Sequence, residues 1–240
     1  MSWLEQSLAT CSLTPEVESY LLGRGAKPES IQREGIVTWQ AQDVPLPDEE
    51  FRKRYGSRGE ALVGALVCPV RSPRGKLIGF EARSIREKRI SDYRLHEAAW
   101  NPFFLGTKNA VEKLWMGGDA WIVEGLFDLF PLEWAVPSTD AVLATVRARL
   151  SVSHVEFLRR FCRGLVNMVY DRDETGRKGI TGWVDETGKK RWGALQSLGR
   201  VGLKCRDVPY GGGKDPGEIW DRGGVEALRK TFAEGVCFDG

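Results

Sequence analysis

From residue 117 onward, short apolar runs alternate with helix-like segments, and that alternation restricts the chain to a parallel or mostly parallel sheet covered by helices. Strands are expected at 120–123, 141–145, 165–170 and 202–208, and helices at 126–135, 152–161 and 216–232. The central run, Leu165-Val166-Asn167-Met168-Val169-Tyr170, ends abruptly in Asp171-Arg172-Asp173, then in a turn signal, Thr175-Gly176, and a basic pair, Arg177-Lys178. It reads as a buried strand delivering two carboxylates to its C-terminal end, where open α/β sheets bind ligands. Alternate residues of an extended segment face the same way, so Asp171 and Asp173 suit one hard cation. An acidic turn closing a strand is the competing reading. Residues 179–194 are too glycine-rich for one uninterrupted helix and are expected as a helix broken by a loop.

The first half has a different texture. Helices are expected at 15–22, behind Thr14-Pro15, and at 28–35. Residues 41–60 are proline-rich and charged, which predicts an irregular connection. Apolar runs at 62–70 and 76–83 flank Ser72-Pro73-Arg74-Gly75, a hairpin signal. A boundary at Met116-Gly117-Gly118 divides the chain into a smaller α+β unit, 1–116, and an α/β unit, 117–240.

Net charge is +2, and the excess lies wholly in residues 1–118, with 17 basic against 15 acidic side chains. Within it, residues 71–94 hold eight basic residues (Arg71, Arg74, Lys76, Arg83, Arg86, Lys88, Arg89, Arg94) against three acidic ones. Such a patch suits a polyanion, with a solvated charged face as the alternative. No apolar run approaches the ~20 residues that span a bilayer, and the N-terminus has no signal or transit pattern, so a soluble cytoplasmic protein is expected. The five cysteines, Cys11, Cys68, Cys162, Cys205 and Cys237, never form CxxC; they are expected as core residues, with no zinc site. His96 and His154 are isolated and read as satisfied surface or core residues.

Acidic residues recur at strand ends or in the loops behind them: Glu124 after the first strand, Asp171 and Asp173 after the central one, and Asp215 in Gly213-Lys214-Asp215-Pro216. If the sheet is parallel, all reach one edge. Carboxylates so gathered repel one another unless a cation neutralises them, and Mg²⁺ accepts a few carboxylates plus waters and phosphate oxygens. A metal-dependent phosphoryl or nucleotidyl transfer site follows as an expectation.

These residues resemble a known family. Val123-Glu124-Gly125-x-x-Asp128, Asp171-x-Asp173-x-x-Gly176-Arg177 and Lys214-Asp215-Pro216 together look like a TOPRIM domain, the catalytic fold shared by bacterial-type DNA primases, topoisomerases and certain nucleases. The glutamate and Lys-Asp-Pro forms are similar to the primase branch. Upstream, Tyr20-Leu21-x-x-Arg24-Gly25, the turn at 69–75 and Ile78-Gly79-Phe80-x-x-Arg83 resemble the basic subdomain preceding TOPRIM in primases. The resemblance implies a phage- or plasmid-like primase core that makes short RNA primers on single-stranded DNA. It implies Mg²⁺, with Mn²⁺ able to substitute, on Glu124, Asp171, Asp173 and Asp215. Arg83, Arg71, Lys76, Lys214 and Arg177 would contact template or nucleotide. The implied partners are a single-stranded template, ribonucleoside triphosphates, and a replicative helicase or separate template-recognition protein, with neither a zinc-binding module before this core nor a helicase-binding domain after it expected.

There are departures from the pattern. Ala82-Arg83 stands where primases have Gly-Arg, Asp92 stands where a lysine precedes Tyr93, and Trp100-Asn101-Pro102 replaces a lysine region. The acid expected two residues after Asp215 is Gly217, with Glu218 as a shifted substitute. A TOPRIM nuclease and a non-catalytic nucleic-acid-binding relic are the alternatives within the fold. A haloacid-dehalogenase-like site, an EF-hand (Gly182 stands at its twelfth position) and a phosphate-binding loop (Asp215 stands at its Ser/Thr position) fit poorly.

Overall fold

The computed structural model describes residues 2–87, 89–95 and 101–235, with side chains through Phe232. Lys88, His96, Trp100 and Cys237 lie outside the described residues. By contacts the chain divides into two compact units, Met1–Gly23 with Lys27–Ala99, and Arg24–Ala26 with Trp100–Gly240.

The first unit contains α1 (Trp3–Ala9), α2 (Pro15–Gly23), α3 (Pro28–Glu34), β1 (Val37–Thr38), α4 (Glu49–Tyr55), β2 (Leu66–Arg71), β3 (Leu77–Arg83) and β4 (Ile90–Arg94). The strands form an antiparallel sheet in the order β1-β2-β3-β4, with the expected hairpin at its centre. Helix α4 falls in the segment expected to be irregular. Asp48 caps it by accepting the Phe51 N–H at 2.8 Å, and Phe51 and Tyr55, four residues apart, bury their rings on one face. Phe51 is the hub of an aromatic core, with ring centroids 5.1 Å from Trp3, 5.2 Å from Tyr93 and 5.7 Å from Trp39. Strand β4 went unread because Ile90-Ser91-Asp92-Tyr93-Arg94 buries fully only Tyr93.

The second unit contains α5 (Ala110–Trp115), β5 (Ala120–Val123), α6 (Leu126–Leu132), β6 (Ala141–Ala144), α7 (Val152–Phe161), β7 (Val166–Met168), α8 (Glu174–Thr181), β8 (Trp183–Val184), β9 (Lys190–Arg191), α9 (Ala194–Arg200), β10 (Cys205–Asp207) and α10 (Pro216–Gly235). Strands β10-β7-β5-β6 form the expected parallel sheet. Its core is a single cluster that includes Ile122, Leu143, Met168 and Tyr170. Ala110 and Leu114 of α5 join that cluster, so the contact division falls between Ala99 and Trp100, ahead of the Met116-Gly117-Gly118 position read from composition. Two local readings change. Thr175-Gly176 is not a turn but the first turn of α8, and 179–194 is not simply a helix broken by a loop: β8 and β9 pair as an antiparallel hairpin between two helices. Gly223-Gly224 breaks the helical path inside α10. No helix among the described residues is long and apolar enough to cross a membrane.

The first unit also buries a charge-bearing group. Glu81 lies opposite Cys68 and Asp92 in the register of β2-β3-β4, is 3% exposed, and leaves Oε2 without a hydrogen-bond partner among the described residues. Burial pushes its carboxyl up to about 7, against the attraction of Arg83 and with the repulsion of Asp92. A raised carboxyl binds its proton more tightly in the folded than in the unfolded chain, so its contribution to stability is full below the unfolded value and is lost as pH rises through about 7. Glu81→Gln removes this dependence. Urea unfolding should show the variant gaining stability over the parent at pH 8 by on the order of 2 kcal/mol more than at pH 5. Equal differences at the two pH values would mean that Glu81 stays ionised in the folded chain.

Candidate metal centre

The strand order fixes where a site forms. From β5 the chain crosses to β6 on one side and then to β7 on the other, so the crossovers part at the C-terminal ends of β5 and β7, where a crevice opens. Glu124 leaves β5 at that point, and Asp171 follows β7 by three residues.

Three carboxylates converge there. Asp128, Asp171 and Asp215 each offer an oxygen within 4.8 Å of the others. Asp128 was not singled out as a ligand from the sequence. It sits in the first turn of α6 rather than at a strand end, within the run Val123-Glu124-Gly125-x-x-Asp128. Burial first, then Asp215 and Asp171, pushes its carboxyl well above the usual carboxylate range. Glu124 is raised to about 7 by burial and then by Asp171. Asp171 is raised by burial, against its bond to Lys214.

The acids are held by backbone. Glu124 Oε1 accepts the Asp171 N–H at 3.1 Å, Asp128 Oδ1 accepts Gly217 N–H at 3.3 Å, and Asp215 Oδ1 accepts Glu218 N–H at 2.7 Å. Asp173 caps α8 by accepting Gly176 N–H at 3.0 Å, which holds its carboxyl below the usual range. Gly176 is required by close approach: a Cβ there would lie 2.1 Å from the Asp171 carbonyl oxygen and 2.8 Å from Glu124 Oε1. Gly217 is similar, since a Cβ would stand 2.9 Å from the Phe127 carbonyl oxygen. Glu218 points elsewhere, bonding the Lys214 N–H at 2.5 Å and the Arg222 guanidinium.

Lys214 bridges the two aspartates of the central motif, its Nζ lying 2.9 Å from both Asp171 Oδ2 and Asp173 Oδ2, and these bonds raise its own pKa. The spacing calls for one hard cation between Asp171 and Asp173; the structure has the Lys214 ammonium between them, and groups Asp171 with Asp128 and Asp215. The donors around Asp128, Asp171 and Asp215 are all carboxylate oxygens, the chemistry that suits Mg²⁺ or Mn²⁺ and not zinc held by thiolates.

The other basic candidates are divided between the two units. Arg177 is in α8, one residue beyond Gly176. Arg71 and Lys76 flank the β2–β3 turn, where Arg71 bonds the Gly75 carbonyl at 2.9 Å and pairs with Glu5. Arg83 ends β3 at the opposite end, some 20 Å away along the strand, and Arg86 pairs with Glu16 nearby. The patch at 71–94 is thus two groups at the two ends of one hairpin. His154 is a buried helix-capping residue, its Nδ1 accepting the Ser151 N–H at 3.1 Å.

No family model matches the chain. Among curated proteins it is similar to the DNA primase of Aquifex aeolicus (strain VF5), with 30% identity over 181 residues, 72% of this chain and 33% of the relative. The chain therefore spans about a third of that relative's length. Among solved structures it matches the Aquifex aeolicus primase comprising zinc-binding and RNA polymerase domains, with a TM-score of 0.69 and 21% identity, covering 97% of this chain and 60% of that one. It also matches a DnaG primase catalytic domain bound to single-stranded DNA, with a TM-score of 0.63 and 18% identity, covering 97% and 77%. The sheet flanked by helices is that of these catalytic cores.

If the ammonium of Lys214 substitutes for a cation, removing it leaves Asp171 and Asp173 repelling each other. Lys214→Met should lower the melting temperature in EDTA, and Mg²⁺ should raise the variant's melting temperature by more than it raises the parent's. An unchanged melting temperature in EDTA would remove Lys214 from the electrostatics of the cluster.

Proposed function

We propose that this chain, folded as the catalytic cores of bacterial-type primases are, is a primer-synthesising RNA polymerase that joins ribonucleotides on a single-stranded DNA template. The observation that carries this reading is the convergence of Asp128, Asp171 and Asp215 at the switch point of a primase-type sheet. The DNA bound by one structural neighbour supports the choice of template. A replicative helicase or a separate template-recognition protein is the proposed partner, and the cytoplasm the proposed compartment.

Asp128, Asp171 and Asp215 would hold Mg²⁺, or Mn²⁺ in its place, with Glu124 and Asp173 reaching the trio through Asp171 and Lys214. When bound, the cation neutralises the triphosphate and the departing pyrophosphate. Glu124, which accepts the Asp171 N–H through one oxygen, would take the proton of the attacking hydroxyl with the other. The 3′ oxygen then bonds the α-phosphorus while the bond to the β-phosphate oxygen breaks and pyrophosphate leaves. Arg177 and Lys214 offer cations to the nucleotide phosphates. Arg83, with Arg71 and Lys76, is proposed to hold template phosphates.

Asp171→Asn should lower Mg²⁺-dependent primer synthesis at least about 100-fold with no loss of melting temperature. Cleavage of the template in place of polymer would instead make the chain a nuclease of the same fold, and neither activity in the parent would make it a binding relic. For the template contact, Arg83→Ala should weaken single-stranded DNA binding irrespective of sequence and make the slope of log affinity against log salt about 0.7 less steep. An unchanged slope would return Arg83 to a solvated face.

A further inference from the structure

The hairpin between α8 and α9 is not needed to complete the sheet. It forms its own two-stranded ribbon, Trp183 opposite Arg191 and Val184 opposite Lys190. Its base is pinched shut by two glycines. A Cβ on Gly182 would lie 2.5 Å from the Arg191 carbonyl oxygen, and one on Gly193 would lie 2.3 Å from both Gly182 N and the Ile180 carbonyl oxygen. Gln196 closes the same gap, accepting the Gly193 N–H at 2.9 Å and donating to the Thr181 carbonyl at 2.7 Å. The tip is ordered by Asp185, whose carboxylate accepts from Thr187 N–H and Oγ1, Lys189 N–H and Arg191 Nε. The ribbon is therefore held at both ends and projects as a fixed element.

Opposite residues of a ribbon share a face, and so do residues two apart. Val184, Lys190 and Trp192 consequently lie on one face, and it is open: Val184 is 64% and Trp192 47% exposed. The guanidinium of Arg200 lies over the Trp192 ring at 4.6 Å, and that of Arg149, from the loop behind β6, lies over Trp183 at 4.4 Å. Lys189 and Lys190 form no ion pair among the described residues. Between residues 181 and 200 four basic side chains stand against two acidic ones, and one of the two, Asp185, is engaged by the turn and by Arg191. An exposed tryptophan flanked by cations on a rigid ribbon offers a base a ring to stack on and its phosphates a charge. The hairpin base is one eight-residue helix, roughly 12 Å, from the Asp173 cap beside the carboxylate cluster.

We propose that this hairpin is a contact for single-stranded nucleic acid, stacking a base on Trp192 and neutralising flanking phosphates with Lys190 and Arg200. The inference deepens the proposed function, on which it rests for the identity of the strand as template. It adds a contact in the second unit that neither the carboxylate cluster nor the basic groups of the first unit supply.

The test is equilibrium binding of a labelled oligothymidylate to the full chain in EDTA, so that metal chemistry does not contribute. Trp192→Ala should bind roughly tenfold more weakly and Trp192→Phe within about threefold of the parent, because stacking is worth about 1–3 kcal/mol per base. Lys190→Glu should weaken binding and reduce its salt dependence. Melting temperatures check that the variants fold, and cross-linking of an iodouracil-substituted oligonucleotide to the parent should map to residues 183–192. Parental affinity in both Trp192→Ala and Lys190→Glu overturns the inference, as does a Trp192→Ala defect equally large on blunt duplex, where no base is free to stack. A parent chain that cross-links at the hairpin but makes no polymer overturns the proposed function and leaves the hairpin contact standing.

Discussion

Mutual repulsion among half-buried carboxylates is the constraint on which the second unit depends. Glu124, Asp128 and Asp171 are all pushed toward their neutral forms by burial first and then by neighbouring carboxylates, Asp173 and Asp215 among them, so the crevice at the switch point is stable only where something offsets that charge. The structure answers locally. Each of Glu124, Asp128, Asp173 and Asp215 accepts a backbone N–H, from Asp171, Gly217, Gly176 and Glu218 respectively, and three of these bonds start or fasten a helix. The acids thereby stitch together the loops that carry them. The same groups that would hold a cation set the positions of α8 and α10, so function and local folding draw on one set of hydrogen bonds.

That double role explains how much was legible. The parallel sheet was visible because its strands are short, uniformly apolar runs: β5 and β6 bury every residue. The acids at strand ends were visible because an apolar run that stops abruptly at a carboxylate marks the C-terminal end of a buried strand. Asp128 was not legible as a ligand because it lies beyond the end of β5, in the first turn of α6, and so is not a strand-end acid. Helix α4 escaped for a different reason: the prolines before it mark its entry, and its core contribution rests on only Phe51 and Tyr55. The β8–β9 hairpin was hidden because strands two residues long show no alternation, and what fixes them is glycine at the pinch and one aspartate at the tip.

The departures from the primase pattern acquire physical meaning at Gly217. The resemblance leads one to expect an acid there, but the backbone passes close enough to the Phe127 carbonyl that no side chain fits without movement, and its N–H is spent on Asp128. Glu218 does not replace that acid, since its oxygens are taken by the Lys214 N–H and by Arg222. The negative charge of the crevice therefore rests on Glu124 behind β5, on Asp128 of α6 and on the loops after β7 and β10. Lys214, from the last of these loops, counters it from within reach of two aspartates.

Residues 119–240 carry 18 basic and 18 acidic side chains, a neutrality that by itself argues against affinity for a polyanion. The arrangement matters more than the sum. Five of the acids are gathered into the crevice and its rim, where backbone donors and one lysine engage them, and their field outside is weakened accordingly. Arg149, Lys189, Lys190 and Arg200 lie instead on or beside an exposed ribbon, two of them over tryptophan rings. A chain that neutralises its acids inward and presents its bases outward can be balanced in total and still face a phosphodiester strand with positive charge. Net charge, read from composition, reports neither half of that division.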